Sequence, residues 1–281
     1  MTQGGARMIA AVFRSVGIDA SILPPSDDET LELGAMYSSG EECFPEKITI
    51  GDYLKITRMD GFDPAKTAFL MPASNGPCRF GQYWPLLSTV LKRAGMEEVL
   101  ILSPSSSEGY GDIAKDSNTF FRMGWLGLIA SDILRKMLLK IRPYERTAGE
   151  TDKIYERGLQ RAEKVLEHPG LSFRKRRASI IEALVKSRDE FRAIPADYRR
   201  GKPLIAILGE IFCRHNRFAN ENMIRKLEEH GAETWIADVG EWVFYTDWSR
   251  MDNLTRKGRR FSKSMARSEE RRVGKECTIQ C

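Results

Sequence analysis

Residues 67–83 have the sequence TAFLMPASNGPCRFGQY, in which an apolar run leads into a turn and then into a second apolar pattern. The run at residues 67–71 predicts a buried strand. After the turn, apolar residues recur at Phe80, Trp84 and Leu87, which is the spacing of a helix. The sequence therefore predicts a strand-to-helix turn that places Cys78 close to the start of the helix.

The start of a helix gives a thiol a distinctive environment. Unpaired backbone N–H groups and the positive end of the helix dipole meet there, and Arg79 adds a cation next to Cys78. Both effects favour the thiolate, which is the form of cysteine that ligates metals. The alternative interpretation is that Cys78 is a small buried residue that fills a turn.

Two further cysteines have a similar setting. Cys43 precedes a predicted helix in which Pro45 suits the first turn, and Cys213 follows an all-apolar predicted strand at residues 204–208. Ligands of open α/β sheets bind beyond the carboxyl ends of the strands, so three thiolates could meet there and hold an iron–sulfur cluster with one iron left open. Their wide spacing is weak evidence by itself, and plain packing is the alternative for Cys213.

A known family shares features of this sequence. The chain resembles the 2-hydroxyacyl-CoA dehydratase component D superfamily at two motifs, Glu-Cys-Phe-Pro at residues 42–45 and Gly-Pro-Cys-Arg-Phe-Gly-Gln-Tyr at residues 76–83. The part of that superfamily to which it is most similar is the dehydratase-like region of large CoA-substrate-specific activase proteins. The resemblance covers roughly residues 8–250, and the two cysteine motifs are its most specific part.

The resemblance implies a cofactor, a reaction and partners. The cofactor is a 4Fe-4S iron–sulfur cluster bound between Rossmann-like domains, with Cys43, Cys78 and Cys213 as the expected ligands. From their positions, Arg79, Arg214 and His215 could stabilise the negative charge of the cluster or of substrate phosphates; solvated loop cations are the alternative. The implied reaction is ATP-coupled electron transfer at low potential for the radical dehydration of a 2-hydroxyacyl-CoA. The implied partners are an ATP-hydrolysing activase domain or subunit and an acyl-CoA substrate.

Two other classes of function stay open on the sequence. The chain could be a non-catalytic domain that docks an ATPase partner without a cluster of its own, or a Rossmann-like ligand binder. Residues 103–111 form a Gly/Ser loop that could cradle phosphate, although it lacks the ending of a nucleotide-binding loop and suits a plain surface connection. Glu41, Glu42 and Glu210 could move protons or be surface carboxylates, and we expect His215 to be solvated.

The order of predicted elements indicates an α/β fold with Rossmann-like parallel-sheet units joined by a helical segment. We predict an α/β domain at residues 1–112, a helical segment at 113–200 and a partial second α/β unit at 201–266 that is truncated. Shorter predicted elements are a strand at 20–23, a helix capped by Ser26 or Asp27, helices at 117–142, 149–168 and 172–193, and strands at 99–102 and 234–237.

The last residues differ from the rest. Residues 267–281 have no apolar periodicity and resemble the conceptual translation of a common sequencing adapter. We therefore expect the native sequence to end near Ala266 and the chain to be a fragment; a basic disordered tail is the alternative. Cys277 and Cys281 lie in this segment, which leaves three cysteines for a site.

Composition narrows the functional classes further. The net charge of +5 is mild, and basic and acidic residues are interspersed, so nucleic-acid binding is not implied. The chain contains no apolar run of about 18 residues, so we expect no membrane span. Five cysteines in 281 residues do not form the pattern of a disulfide scaffold, and a reducing cytoplasm is the expected compartment.

Overall fold

The computed structural model describes residues 2–73, 78–104, 117–199 and 201–256. It shows a mixed α/β architecture in which helix predominates, with 62% of the described residues helical and two small parallel sheets. The Gly/Ser loop beyond residue 104 and the tail at 267–281 lie outside the described residues. None of the described helices combines the length and the apolarity that crossing a membrane requires.

The described residues form ten α-helices and four strands. The helices are α1 (Gln3–Arg14), α2 (Asp28–Met36), α3 (Phe44–Thr57), α4 (Tyr83–Arg93), α5 (Ser117–Ile141), α6 (Glu150–Glu167), α7 (Phe173–Arg192), α8 (Ile211–His215), α9 (Met223–Glu229) and α10 (Val239–Arg256). The strands are β1 (Ala68–Leu70), β2 (Leu100–Leu102), β3 (Leu204–Ile207) and β4 (Glu233–Ile236). The chain divides into two compact units, Met1–Ile236 and Ala237–Cys281. The predicted domain boundaries stay a prediction.

The first sheet contains the strand predicted from residues 67–71. β1 pairs in parallel with β2, with Phe69 opposite Ile101, and the pairing is extended by a hydrogen bond from Met71 N to Leu102 O of 2.9 Å. The connection between the two strands includes α4, whose Leu87 is buried in the same core as Phe69. The strand–helix–strand order predicted for this region is confirmed.

The second sheet confirms the predicted βαβ unit. β3 and β4 pair in parallel with Ile207 opposite Ile236, and these two side chains pack with Leu139 of α5. The unit is also attached to the end of α5 by a buried ion pair, in which Arg142 donates to Glu228 through Nε at 2.8 Å and through Nη2 at 2.9 Å. The position of this unit against α5 therefore rests on both apolar and charged contacts.

The helical segment predicted between the sheets is present. α6 and α7 are antiparallel, and Arg161 of α6 donates to Ser187 Oγ of α7 at 2.8 Å. α1 packs against α5 and α6, where Arg7 binds the carboxylates of Glu156 and Glu163. The first helix thus contributes to the packing of the helical segment, although the sequence analysis placed it with the first α/β unit.

The strand predicted at residues 20–23 is wrong, because this segment is irregular. Its backbone is not paired with a strand. Instead, the carbonyl oxygen of Ala20 accepts a hydrogen bond from the side chain of Arg14 (Nη1) at 2.7 Å. Leu23 still packs against the first core, so the apolar residues that suggested a strand are used for packing. The helix predicted next is confirmed, with Asp27 and Thr30 forming a capping box at its start.

The crossing of α2 and α3 depends on two glycines. A Cβ atom built on Gly51 would lie 1.8 Å from Thr30 O, and one built on Gly34 would lie 2.1 Å from Lys47 O. Such distances are far inside van der Waals contact, so only glycine permits this approach of the two backbones. The crossing fixes the direction of α3, and Cys43 stands at the start of that helix.

Gly51→Ala should therefore destabilise the protein by about 3 kcal/mol or more, because the added methyl group forces the two helices apart. Urea denaturation monitored by circular dichroism measures the effect. Gly201→Ala is the matched control, since nothing lies within 4 Å of its built Cβ, and it should change stability by less than about 0.5 kcal/mol. Equal effects of the two substitutions would contradict the close crossing.

Candidate functional site

Cys43 is the N-cap residue of α3, as the sequence predicts, and Pro45 occupies the first turn. Its thiol is partly buried, and Sγ lies 3.1 Å from the hydroxyl oxygen of Tyr83, within hydrogen-bond distance. Tyr83 is the first residue of α4 and is 6% exposed. A single side-chain contact therefore joins the start of α3 to the start of α4.

Cys78 also occupies a helix start. It is the N-cap residue of a short 3-10 helix, Arg79–Gln82, which leads directly into α4. Its side chain is exposed. The predicted helix start at Cys78 is confirmed, with β1 before it, while residues 74–77 lie outside the described residues. The exposure of Cys78 shows that this cysteine is not a buried residue that fills space.

Cys213 lies in the first turn of α8, the short helix that follows β3. Its backbone N–H donates to the carboxylate of Glu210, the N-cap residue, at 2.7 Å. Burial raises the pKa of the Cys213 thiol to about 11, and the hydrogen bond and charge of Glu210 and the charge of Cys43 act in the same direction. The thiol is thus protonated at neutral pH, and it lies within electrostatic reach of Cys43.

Two of the cysteines, Cys43 and Cys78, affect the pKa of Tyr83. Burial raises its pKa, and the hydrogen bond to Cys43 and the charges of Cys43, Glu46 and Cys78 add to that increase. Each of the three thiols therefore lies within electrostatic reach of Tyr83 or of Cys43. Cys43 and Cys78 both act on Tyr83, whereas Cys213 is related to them only through its interaction with Cys43.

The side chains do not form a finished metal site. As they stand, the described residues contain no group of three or more His, Cys, Asp or Glu that could hold a metal ion. Cys43, Cys78 and Cys213 are free thiols, and thiolates are the usual ligands of iron–sulfur clusters, so the residue type matches such a cluster but the arrangement does not. Binding of a cluster would require the three thiols to come together and Cys213 to lose its proton.

The side chains of the two predicted cofactor-binding cations donate hydrogen bonds to backbone carbonyl groups near the cysteines. Arg79 is exposed and donates through Nη1 to Glu41 O, in the loop before Cys43. Arg214 donates through Nη1 to Gly209 O at 2.8 Å, in the turn after β3. Both guanidinium groups therefore lie beside predicted ligands and carry further N–H groups that an anion could accept from.

His215 is buried, not solvated as expected. It is 9% exposed, and its Nδ1 lies 3.0 Å from Nη1 of Arg135 on α5. An arginine can only donate, so Nδ1 accepts and the imidazole is neutral. Burial lowers the pKa of His215 to about 2, and the charges of Arg135 and Arg214 lower it further. The sequence could not reveal this, because the partner comes from a helix 80 residues away.

The carboxylates near the cysteines divide into two kinds. Glu42 accepts hydrogen bonds from the backbone N–H groups of Ser39 and Gly40, each at 3.0 Å, and the bond from Ser39 is the main cause of its pKa of about 2. It therefore holds its loop as a carboxylate and is a poor proton donor. Glu46, which the sequence analysis missed, is 5% exposed. Its burial raises its pKa, with the charge of Glu42 adding and Arg79 opposing.

The position of Glu46 in the sequence could have identified it as a candidate site residue. It follows the N-cap Cys43 by three residues, a position that faces back towards the start of the helix. Its electrostatic contact with Tyr83 places it next to the cysteine region. Burial raises the pKa of Glu46, whereas hydrogen bonds lower that of Glu42, which makes Glu46 the better candidate acid of the two.

A chain of hydrogen bonds attaches the end of α8 to α3. Asn216, the C-cap residue of α8, donates to Ser26 Oγ at 2.9 Å, and Ser26 donates to Asp52 Oδ2 at 2.9 Å. Thr30 Oγ1 contacts the other oxygen of Asp52 at 3.1 Å. Burial raises the pKa of Asp52 to about 6, although Ser26 and Thr30 oppose the increase. The helix that bears Cys213 is thereby linked to the helix that begins after Cys43.

Comparisons with family profiles, with curated proteins and with solved structures found no match. The relationship to the dehydratase and activase proteins therefore stays a proposal that rests on the two cysteine motifs.

Replacing Asp52 tests the buried network. The pKa of Asp52 is higher in the folded than in the unfolded protein, so protonation of Asp52 stabilises the folded state. This stabilisation is complete below the unfolded pKa of Asp52, and it is lost as the pH rises through about 6. We expect wild-type stability to fall by at most about 2 kcal/mol between about pH 4 and about pH 7.5 because of this group. Asp52→Asn should lack this fall in denaturant titrations.

The exposed Asp60 provides the control, because Asp60→Asn should leave the pH profile of stability as in the wild type. If Asp52→Asn retained the whole fall in stability, the buried carboxylate would not be its source.

Proposed function

We propose that this chain is an iron–sulfur protein of the kind that the cysteine motifs resemble, a component of a 2-hydroxyacyl-CoA dehydratase or activase system. The observation that supports this best is that Cys43, Cys78 and Cys213 are free thiols at or near helix starts, with Cys43 Sγ 3.1 Å from the Tyr83 hydroxyl oxygen. These residues would hold a 4Fe-4S cluster. When bound, the cluster would supply one-electron transfer at low potential to a CoA thioester.

The protein's own groups would stabilise the negative charge of the ligands. Cys43 and Cys78 are the N-cap residues of α3 and of the following 3-10 helix, where the positive dipole end lies, although neither side chain makes a capping hydrogen bond. Arg79 and Arg214 would add positive charge beside Cys78 and Cys213. Glu210 opposes the thiolate of Cys213, so this ligand would bind with the release of a proton and most weakly at low pH.

The fold supports the proposal in outline. Each small sheet is parallel and has helices in the connection between its strands, and Cys78 and Cys213 follow β1 and β3. We propose that both sheets are parts of Rossmann-like units, with ligands bound beyond the carboxyl ends of the strands. The proposed partners are an ATP-hydrolysing activase domain or subunit and an acyl-CoA substrate, and the proposed compartment is the cytoplasm.

A second candidate function is a docking domain of a larger activase protein without a cluster of its own. It is favoured by the apolar surface of the second sheet, where Leu204 is 62% exposed and the adjoining Leu208 is 72% exposed, with Trp235 of β4 45% exposed. Exposed apolar patches of this kind mark interaction surfaces. Iron content separates the two candidates, because a docking domain need not bind iron.

Serine substitutions test the cluster. Cys43→Ser, Cys78→Ser and Cys213→Ser should each lose most of the iron bound by the full chain after reconstitution with iron and sulfide without oxygen, because serine is a harder and more basic ligand. Iron and sulfide analysis with visible absorption spectra measures the loss, and far-ultraviolet circular dichroism checks that the fold is retained.

Cys277→Ser is the matched control, since that residue lies in the segment that resembles a translated adapter, and it should retain iron at the wild-type level. Retention of wild-type iron by Cys78→Ser would remove the basis of the cluster assignment, and absence of iron from the reconstituted wild-type chain would favour the docking domain.

A further inference from the structure

The outer edge of β3 is an exposed, apolar strand edge. β3 pairs with β4 on one side, and no other strand in the described part of the chain pairs with its opposite side. Three of the four residues of β3 are exposed, and the adjoining Leu208 is 72% exposed. The backbone groups along such an edge are a template for pairing with a further strand.

This edge has none of the features that protect most edge strands. Natural edges are covered, interrupted by a proline or a bulge, or supplied with charged side chains. Residues 204–208 have the sequence LIAIL, which contains neither a charged residue nor a proline. An unprotected apolar edge in a folded protein indicates a surface that is used for association.

The order of residues around the edge is complementary to itself. Antiparallel pairing of two copies centred on Ala206 places Leu204 of each copy opposite Leu208 of the other. The same register places Lys202 of each copy opposite Glu210 of the other. Apolar residues thus meet apolar residues and opposite charges meet at both ends, which are the pairs that stabilise antiparallel strands.

Both charged residues lie where such a contact can form. Glu210 is exposed and uses Oε2 to accept a hydrogen bond from Cys213 N at 2.7 Å. Lys202 is half-buried, with Nζ 6.0 Å from the centroid of the Tyr144 ring. A two-fold pairing of β3 would bring these opposite charges together twice.

We propose that β3 forms the interface of a homodimer, in which the strands of two copies pair in antiparallel orientation about a two-fold axis at Ala206. A two-fold interface uses the same patch on both copies, so the self-complementary order favours a second copy of this chain over an ATPase partner at this surface. The inference does not depend on iron binding. The paired segment is short, and we therefore expect a weak dimer with a dissociation constant on the order of 10–100 µM.

Sedimentation equilibrium of the full chain, at concentrations below and above that range, tests the dimer. Leu208→Lys should weaken dimerisation at least about tenfold, because the new charge lies diagonal to Lys202 of the other copy. Lys202→Glu should weaken it at least about threefold, because it faces Glu210. Met36→Lys is the matched control, since Met36 is 67% exposed on α2, and it should dimerise as the wild type does.

A wild-type chain that stays monomeric, or equal association of Leu208→Lys and Met36→Lys, would overturn the proposal. Association beyond a dimer would also overturn it, because a two-fold interface closes after two copies. Circular dichroism of each variant checks that the fold is retained.

Crosslinking tests the register. Residues that face each other in an antiparallel pair have Cα atoms about 4.5–5.5 Å apart, which is within the range of a disulfide. Mild oxidation of Ala206→Cys should therefore link the two introduced thiols, and mass spectrometry of the linked peptide identifies the bond. Met36→Cys is the control and should give no such link. A chain that dimerises without a bond between the two copies of position 206 would overturn the proposed pairing.

Discussion

The hydrogen bond between Cys43 and Tyr83 is the contact on which the candidate site depends. It joins the starts of α3 and α4 at 3.1 Å, and Cys78 lies just before the second of these helices. The close crossing of α2 and α3 at glycines sets the direction of α3. The packing of Leu87 against the core that contains Phe69 positions α4. If this junction moved, Cys43 would lose its contact with Tyr83.

The third thiol is positioned by different means. α8 is too short to be stable by itself, and its end is held from two directions, by Arg135 of α5 at His215 and by Ser26 at Asn216. Both contacts are polar and largely buried, so Cys213 is placed by residues that have no chemistry of their own in the proposed reaction. The helical segment therefore contributes to the site although none of its residues are proposed ligands.

The sequence predicted what depends on local pattern. Both parallel strand pairs, the helix starts at Cys43 and Cys78 and the cap at Asp27 follow from apolar periodicity, from proline and from capping residues over a few positions. The prediction was wrong at residues 20–23, where apolar residues pack without a strand, and at His215, whose burial depends on Arg135 from a distant helix. Glu46 and Tyr83 were missed because their burial is a property of the assembled core. The iron–sulfur cluster stays a prediction.

Protection of individual cysteines tests the central claim most directly. The full chain, with and without anoxic loading by iron and sulfide, would be alkylated and each cysteine quantified by mass spectrometry. The account predicts that loading protects Cys43, Cys78 and Cys213 together, while Cys277 and Cys281 react equally in both samples. Full alkylation of the first three cysteines in iron-loaded protein would contradict it.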